Sequence, residues 1–583
     1  MNRRETIELK YIIIIDIIAI CMICFWGFRS IANLNYIAVL NDEFGYWGNA
    51  AVACGYKWNE LLELTPYYSM GYSFLLIPII LIFKTSAEWY KAAIALNIIM
   101  LCISFCLCCK IGEKLFEEKS KPLIHLISLI VILYPSNMIY AHVAWSETFL
   151  YFLFWIQTYL LIKLDENYSN FKLLALLTIT FFSYLSHGRN IINLVITLMI
   201  LLMLLIIKGH KNYKRLLLFC ISVIALFICV KVINKWQINS LYANSGVASL
   251  NQIGTDGATV KKYLFILMNN IYDYCKSFMY KFVIFTWGTM LTGLFAIIYV
   301  YDNMKKYIRN RNGKLILSKI WMVVVPVMTV AATALQIGVT ERKDAAVYTR
   351  YFEHTIGPLI LIGFAVCITY MRKYKWILTI YVLLEVLVIG KSAHLVFYNE
   401  GAFNSICSPI VGAIYDCSKD QKIFIEIMIA MALIPWLIYF IAGYTENRYN
   451  LNILMKSMIW IGVLVEFSWL MIEGETFMDF TRECFDEEYV PLGEYMKKKS
   501  QYTYYYLNSD EDTTYCVYPK YIQFMSPDTE IKVIYEKDIA SLHGNDYYII
   551  GTKFVTTELE FLDSREDYIC TFDEGRMRLY QKK

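Results

Sequence analysis

Residues 191–207 read IINLVITLMILLMLLII, an apolar block without a single charged side chain. Similar blocks recur along the chain, where hydrophobic residues make up 58% of 583 positions and charged residues only 18%. The apolar residues come in blocks rather than at amphipathic spacing, and blocks of about 20 residues can cross a membrane as helices. The sequence therefore predicts a mostly α fold, a polytopic bundle of membrane helices.

Thirteen blocks are long enough to predict spans, at about 11–28, 92–109, 122–140, 146–163, 172–187, 191–207, 215–234, 278–300, 318–338, 355–371, 375–390, 424–442 and 453–472. The first block follows Arg3, Arg4 and Lys10 and has no small-residue cleavage site, so we expect an uncleaved signal anchor. Residues 72–83 (YSFLLIPIILIF) are apolar but short and contain Pro78, which predicts an interfacial or re-entrant segment.

Basic residues predict the orientation of the bundle, because short connections rich in Lys and Arg face the cytoplasm. With a cytoplasmic N-terminus, the inner connections carry Lys110, Lys114, Lys119 and Lys121; Lys208, Lys211, Lys214 and Arg215; Lys305, Lys306, Arg309, Arg311, Lys314 and Lys319; and Arg372, Lys373 and Lys375. The outer connection 137–146 carries none, and 235–277 carries only four. We therefore expect a multi-pass protein of the cell membrane with a cytoplasmic N-terminus and an extracytoplasmic C-terminal segment.

The last part of the chain differs from the rest in charge and pattern. Residues 473–583 carry a net charge of −10, which leaves +14 for residues 1–472. Runs such as IKVIYEK and DYYIIGTKFV, separated by the turn-forming SPDT and HGND, predict strands. We therefore expect a transmembrane domain at 1–472, with a catalytic outer loop at about 29–91, and a small extracytoplasmic α/β or β-rich domain at 473–583.

Five of the cysteines in the predicted outer parts of the chain, where disulfides can form, are candidates for pairing. Cys516 and Cys570 are one candidate pair within the C-terminal domain, and Cys407 and Cys417 are a second. Sequence alone leaves the pairing of these four cysteines and of Cys484 open.

Five short motifs in the outer connections hold titratable residues that hydropathy does not explain. The first is NDEFGYWGNAA at 41–51, where Asp42 and Glu43 precede an apolar, aromatic stretch. A carboxylate here could accept a proton in a reaction at the membrane surface. The competing interpretation is helix capping, with Asn41 as the N-cap and the two acids in the first turn.

The second and third motifs flank the first apolar helices. LTPYYSMGYSFLLIPII at 64–80 places proline, tyrosines and glycine before a short apolar segment, which an interfacial aromatic turn would also explain. AHVAWSETFLYF at 141–152 puts His142 and Glu147 at the outer edge of two adjacent spans. A carboxylate so close to hydrocarbon is costly and indicates function, although Ser146 and Glu147 could instead cap the next helix.

The fourth motif is SHGRN at 186–190, a tight outer turn between two spans. His187 and Arg189 at the membrane surface could bind a phosphate, since an arginine supplies paired donors. Snorkelling of a single arginine toward lipid head groups is the competing explanation.

The fifth motif is ERKDAAVYTRYFEHTIGP at 341–358, where Arg350, Tyr351 and His354 lead into another span. Membrane anchoring competes with phosphate binding here as well. On the predicted topology all five motifs fall on the outer face, which independent capping accidents would not be expected to produce.

The order of these motifs resembles that of the GT-C glycosyltransferases, especially the bacterial branch similar to protein O-mannosyltransferases and aminoarabinose transferases. The matching residues are the Asp42–Glu43 pair, then Pro66, Tyr67, Gly71 and Tyr72, then Ser146 and Glu147, the His187–Arg189 turn, and Arg350 with Tyr351 before a span. Ser73 replaces a usual proline, and His354 with Pro358 departs from the common spacing. The resemblance covers roughly the first 360 residues as dispersed short motifs.

The resemblance implies an inverting glycosyltransferase that takes its sugar from a polyprenyl-phosphate donor. The implied roles are catalysis for Asp42, as general base, and Glu43; donor or acceptor orientation for Glu147, Tyr67, Tyr72 and His142; and lipid-phosphate binding for His187, Arg189, Arg350 and Tyr351. Cationic groups of this kind stabilise the charge of the departing phosphate. The implied partners are that donor, a glycan, lipid or protein acceptor, and the bilayer, with no nucleic acid.

No cofactor is expected, because Asp42 and Glu43 are adjacent and lack the spaced Asp-x-Asp with which some relatives hold a divalent ion; a divalent cation stays open. The main alternative from another class is a transporter or a flippase of a lipid-linked glycan. Charged residues in or near spans would serve it, namely Asp16, Lys231, Glu385, Glu426 and Glu466, but they are scattered and show no repeat. A membrane scaffold whose outer domain binds a partner is a third interpretation.

Overall fold

The protein is described from a computed structural model that covers residues 3–29, 31–37, 40–207, 213–242, 265–310, 315–338, 342–399, 403–418, 420–445, 468–474, 489–508, 518–553 and 556–583. Its helices are Arg3–Phe28, Leu40–Ala53, Asn59–Glu63, Met70–Ile82, Ser86–Leu115, Lys121–Ile132, Pro135–Ala141, Ser146–Glu166, Asn170–Ser186, Ile191–Ile207, Tyr213–Leu241, Ile271–Gly288, Thr292–Asn310, Ile316–Ile337, Arg350–Glu353, Gly357–Tyr398, Pro409–Ser418, Gln421–Thr445, Tyr518–Met525 and Thr556–Asp563. Its strands are β1 (Thr503–Leu507), β2 (Glu530–Ile534), β3 (Tyr547–Thr552), β4 (Tyr568–Glu574) and β5 (Met577–Lys582).

The helices form a membrane bundle, which confirms the predicted fold class. Seven helices in the described ranges are long and apolar enough to cross a membrane, or nine if each of two bent helix pairs is one span. The number thirteen stays a prediction, since the expected span 453–472 lies mostly outside the described residues. The segment predicted as too short to cross, 72–83, forms the helix Met70–Ile82.

The predicted span at 278–300 is interrupted by a sharp bend. The chain forms two helices here, Ile271–Gly288 and Thr292–Asn310, which meet at a bend of 100°. The reason is the backbone of Met290 and Leu291, whose φ angles of 51° and 63° are left-handed. A right-handed helix cannot continue through such residues.

The predicted spans 355–371 and 375–390 both lie in the helix Gly357–Tyr398, which leaves helical geometry at Tyr374 with φ −122° and ψ 23°. The side-chain nitrogen Nδ2 of Asn399, just past its end, donates a hydrogen bond of 3.3 Å to the backbone oxygen of Arg342. The end of the helix thus returns to the segment that precedes its start. This contact favours two passes rather than one.

The C-terminal region contains a five-stranded sheet of order β2-β1-β3-β5-β4. β1 pairs in parallel with β2 and β3, and the helices Tyr518–Met525 and Thr556–Asp563 connect strands. β5 runs antiparallel to β3 and β4. The small C-terminal domain is therefore α/β, while its predicted boundary at 472/473 stays a prediction.

This domain docks on the segment that follows the first helix. Lys520 is fully buried, and its Nζ donates to Asn41 Oδ1 at 3.0 Å and to the backbone oxygen of Leu64 at 3.2 Å. The indole Nε1 of Trp58 donates to the backbone oxygen of Pro527 at 2.9 Å. The sheet domain therefore fixes both ends of the loop segment that begins beside Asp42.

We expect Lys520→Ala to lower the free energy of unfolding by about 1–3 kcal/mol, because it leaves two acceptors without their charged donor. Thermal unfolding of the purified full chain measures the change. Lys537→Ala is the matched control, since Lys537 is an exposed lysine of the same domain. Equal unfolding midpoints for the two variants would contradict the expectation.

The second candidate disulfide is absent from the structure. Cys407 is a buried free thiol and Cys417 an exposed one, so this candidate pair is not bonded in the structure. The reason lies in the local fold: Cys407 ends a short 3-10 helix, whereas Cys417 lies in the last turn of the helix Pro409–Ser418. Cys570 is also free, while Cys484 and Cys516 lie outside the described residues.

Candidate functional site

Asp42 and Glu43 lie in the first turn of the helix Leu40–Ala53 and contact different groups. The Asp42 carboxylate accepts hydrogen bonds from the Tyr68 hydroxyl and from Arg350 Nη1, one on each oxygen. Glu43 is fully buried, and its Oε1 accepts from the Tyr90 hydroxyl at 2.7 Å and from the backbone amide of Ala144 at 2.8 Å. Both acids therefore bind other segments of the chain, which helix capping does not explain.

Glu147 joins two arginines from distant segments. Its Oε1 accepts from Arg350 Nε at 2.6 Å and from Arg189 Nη2 at 3.1 Å. The N-cap of its own helix is Trp145, which makes no side-chain cap hydrogen bond. We call Asp42, Glu147, Arg189 and Arg350 the acid–arginine network.

The network differs sharply in exposure from one end to the other. The side chains of Glu147, Arg189 and Arg350 are 1%, 4% and 8% exposed, whereas that of Asp42 is 23% exposed. Buried charges are stable only when they are paired and hydrogen-bonded. Asp42 is thus the member of the network that a molecule from solution can reach.

Aromatic rings support both guanidinium groups. The Arg350 guanidinium carbon lies 3.8 Å from the Trp145 ring centroid, and that of Arg189 lies 5.0 Å from the Tyr351 ring centroid. Among the described residues, Nε and Nη1 of Arg189 are buried and have no hydrogen-bond partner. Unsatisfied buried donors of an arginine fit the oxygens of an anionic ligand.

The other predicted site residues lie around the network without joining it. The Tyr67 hydroxyl donates to Gln237 Oε1 at 2.9 Å, and the ring nitrogen Nε2 of His142 lies 3.0 Å from the backbone oxygen of Gly27. Tyr72 is buried with its hydroxyl unsatisfied within the described residues. The roles predicted for these residues stay predictions.

His187 and His354 lie close to Arg189. The backbone amide of Arg189 donates to His187 Nδ1 at 3.3 Å, and His354 Nε2 is 2.8 Å from Asn190 Oδ1. Burial lowers the pKa of His354 well below its usual range, so its ring is neutral near pH 7. Positive charge beside this turn is therefore carried by arginine.

Three residues of the site were missed by the sequence analysis. Tyr68 contacts Asp42, whereas the sequence analysis predicted a role for the neighbouring Tyr67. The Trp145 ring packs against the Arg350 guanidinium. Glu353 is buried near both. Nothing in the sequence distinguishes Tyr67 from Tyr68 as the residue whose ring faces Asp42. Burial and the adjacent Asp42 carboxylate raise the pKa of the Tyr68 hydroxyl well above its usual range, which keeps it a neutral donor.

Glu353 accepts hydrogen bonds from the Ser136 and Tyr140 hydroxyls at 2.8 and 2.5 Å. Burial raises the pKa of Glu353 to about 7. Between the ordinary glutamate pKa and pH 7, Glu353 is therefore protonated in the folded protein and ionised in the unfolded chain. The unfolded state then binds fewer protons than the native state between about pH 4.5 and pH 7. The contribution of Glu353 to stability is therefore present at low pH and is lost as the pH rises to about 7.

We expect the free energy of unfolding of the wild type to fall by about 2.5 kcal/mol, relative to Glu353→Gln, between pH 5 and pH 8. Gln keeps the shape of the side chain and does not titrate. Unfolding midpoints of both proteins across this range measure the difference. Glu494→Gln, at an exposed position, is the control and should follow the wild type. Parallel curves for wild type and Glu353→Gln would contradict the assignment.

The comparisons with known proteins concern the fold. No protein-family model matches the chain, and no curated protein matches it in sequence. ArnT from Cupriavidus metallidurans bound to undecaprenyl phosphate is similar in structure, with a TM-score of 0.53, 10% identity and 97% coverage of each chain. Apo ArnT gives a TM-score of 0.48 at 10% identity and 97% coverage of each chain.

An oligosaccharyltransferase from Archaeoglobus fulgidus gives a TM-score of 0.46 at 10% identity, over 94% of this chain and 69% of that one. Of these three structures, only lipid-bound ArnT has a TM-score above 0.5, so the fold is inferred from that structure. Sequence identity this low establishes a fold and not an activity. The fold that the resemblance of the dispersed motifs implies is confirmed at this level: the chain has the fold of the ArnT structure.

Proposed function

We propose that this protein is a membrane glycosyltransferase that moves a sugar from a polyprenyl-phosphate-linked donor to an acceptor on the extracytoplasmic face. The observation that carries the proposal is the acid–arginine network, in which a solvent-accessible carboxylate and two arginines from separate motifs converge. The ArnT structure with the similar fold is bound to undecaprenyl phosphate, which supports a lipid-phosphate donor here.

The reaction is an inverting displacement. The acceptor oxygen or nitrogen attacks the anomeric carbon, its proton passes to the Asp42 carboxylate, and the bond from the anomeric carbon to the phosphate oxygen breaks. The lipid phosphate leaves with the bonding electron pair. Asp42 suits the base role because it is accessible, at 23% exposure, and because Tyr68 and Arg350 fix its orientation.

The departing phosphate gains negative charge, which prearranged cationic donors stabilise. Arg189 offers Nε and Nη1, which no described residue uses, while Glu147 and Tyr351 hold its side chain in place. Arg350 adds a second positive charge between Asp42 and Glu147. Glu147 thereby acts through the arginines, as a positioning residue.

The donor's lipid tail stays in the bilayer, so the reaction requires a site at the membrane edge. Glu147 begins the helix Ser146–Glu166, and Arg189 and Arg350 each precede a membrane helix by a few residues. The positive-inside pattern supports an extracytoplasmic position for this edge. The acceptor is a glycan, lipid or protein presented on that side.

The test is transfer by the purified full chain in detergent. The protein is incubated with a panel of radiolabelled polyprenyl-phosphate sugars and a mixture of lipid, glycan and peptide acceptors, and released lipid phosphate is measured. We expect at least one donor to release its lipid phosphate in proportion to enzyme. A folded preparation that releases no lipid phosphate from any donor overturns the proposal. Movement of the intact donor across a liposome membrane, without release, overturns it in favour of a flippase.

A further inference from the structure

A cavity of about 440 Å³ lies at the far end of the bundle from the acid–arginine network. Its lining comes from the ends of the helices Ser86–Leu115, Lys121–Ile132 and Ser146–Glu166. Glu147 and Lys163 lie on the same helix, about 24 Å apart along its axis at 1.5 Å per residue. The cavity is therefore roughly one hydrocarbon thickness away from the network, at the opposite edge of the membrane.

The lining is strongly basic. Five lysines and two glutamates contribute a net charge of +3: Lys110, Lys114, Lys119, Lys121, Lys163, Glu113 and Glu117. The positive-inside rule explains why lysines occur at a cytoplasmic edge. It does not explain why side chains from three helices converge on one cavity.

The floor of the cavity is apolar. Ile111, Phe116 and Ile162 are each 1% exposed, and Ile124 is fully buried. A ring of cations above an apolar floor suits an amphipathic anion better than a small hydrated one. The same combination occurs where basic pockets between membrane helices bind the head groups of anionic lipids.

Three of the five lysines of the lining form ion pairs with glutamates. Lys114 lies 2.8 Å from Glu166, Lys163 lies 3.6 Å from that same carboxylate group, and Lys121 lies 3.7 Å from Glu113. In the described ranges, no ion pair is formed by Lys110 or Lys119. Two cations of the lining are thus available to an anion without breaking an existing pair.

We propose that this cavity binds a phosphate anion, supplied by the head group of an anionic lipid in the adjacent leaflet. Lys110 and Lys119 bind the phosphate oxygens, and the glycerol lies toward the apolar side of the cavity. The site is separate from the acid–arginine network, and the proposal does not depend on glycosyl transfer.

The test measures binding by the full chain in detergent micelles, with a fluorescent short-chain phosphatidylglycerol, the matching phosphatidylcholine, and inorganic phosphate as probes. We expect the double variant Lys110→Gln, Lys119→Gln to bind phosphatidylglycerol about tenfold more weakly than the wild type, since each lysine near an anionic head group contributes appreciably. Lys305→Gln, Lys306→Gln is the matched control, because both lysines are exposed and lie on a helix whose Tyr299 contacts Phe116.

Each outcome decides the proposal. Weaker phosphatidylglycerol binding in the cavity variant alone supports the lipid source, and loss of inorganic phosphate binding in that variant alone supports phosphate recognition from a soluble source. Equal binding of phosphatidylcholine and phosphatidylglycerol, an equal loss in the control variant, or no effect of the cavity variant on any probe overturns it. Unfolding midpoints of both variants confirm that the comparison is made on folded protein.

Discussion

Asp42→Asn is expected to reduce the turnover number by about 10²–10⁴-fold, the usual contribution of a general base, while leaving the affinity for lipid phosphate nearly unchanged. Asn has the shape of Asp but cannot accept the acceptor's proton. Its carbonyl oxygen can still accept from Arg350 and its amide can donate to the Tyr68 hydroxyl, so the local contacts are retained. The effect should therefore fall on the chemical step.

The measurement is steady-state release of lipid phosphate together with equilibrium binding of the unreacted polyprenyl phosphate. Asp528→Asn is the matched control, since Asp528 is an exposed acid of the docked C-terminal domain and should leave both quantities unchanged. A transporter would tolerate the loss of the Asp42 carboxylate. Normal turnover by a folded Asp42→Asn protein would therefore remove Asp42 from the mechanism.

Arg350→Ala is expected to lower the free energy of unfolding by about 3–5 kcal/mol and to abolish transfer. The reason is that Arg350 is the cation shared by Asp42 and Glu147, and Glu147 is 1% exposed. Removing one partner of a buried ion pair leaves an uncompensated charge in a medium of low polarity. Arg189 alone then has to balance Glu147, and the Trp145 ring loses its guanidinium.

Chemical unfolding in detergent measures this loss, with Arg372→Ala as the control because Arg372 is exposed. Arg350→Lys separates charge from geometry. A lysine restores the positive charge but cannot present two nitrogen donors in a fixed plane to two carboxylates. We expect Lys to recover part of the stability and little of the activity, and a fully active Arg350→Lys protein would contradict the bridging role.

Much of the fold could be predicted from the sequence because hydrocarbon thickness constrains helix length so strongly. The block 92–109 lies within the helix Ser86–Leu115, and the short segment with Pro78 forms the helix Met70–Ile82. The bend after Gly288 could not be predicted. It depends on left-handed backbone at two apolar residues, which carries no compositional signal.

The site was predictable in its charges and not in its aromatic partners. Carboxylates and arginines at a membrane edge are costly, which indicated Asp42, Glu147 and Arg350 as candidates, although capping or anchoring could explain each of them singly. Tyrosine and tryptophan are ordinary at the same depth, so their abundance hid Tyr68 and Trp145. Only the folded structure shows which aromatic rings contact a charged side chain and which face lipid.

The contact between Lys520 and Asn41 has a consequence for biosynthesis. A ribosome adds about 5–20 residues per second, so Asn41 emerges on the order of tens of seconds before its lysine partner. The bundle can insert during that interval, but the segment beside Asp42 gains its hydrogen bonds from Lys520 only after the last part of the chain has been synthesised. Nascent or prematurely terminated chains would thus lack the two Lys520 hydrogen bonds that hold the segment beside Asp42.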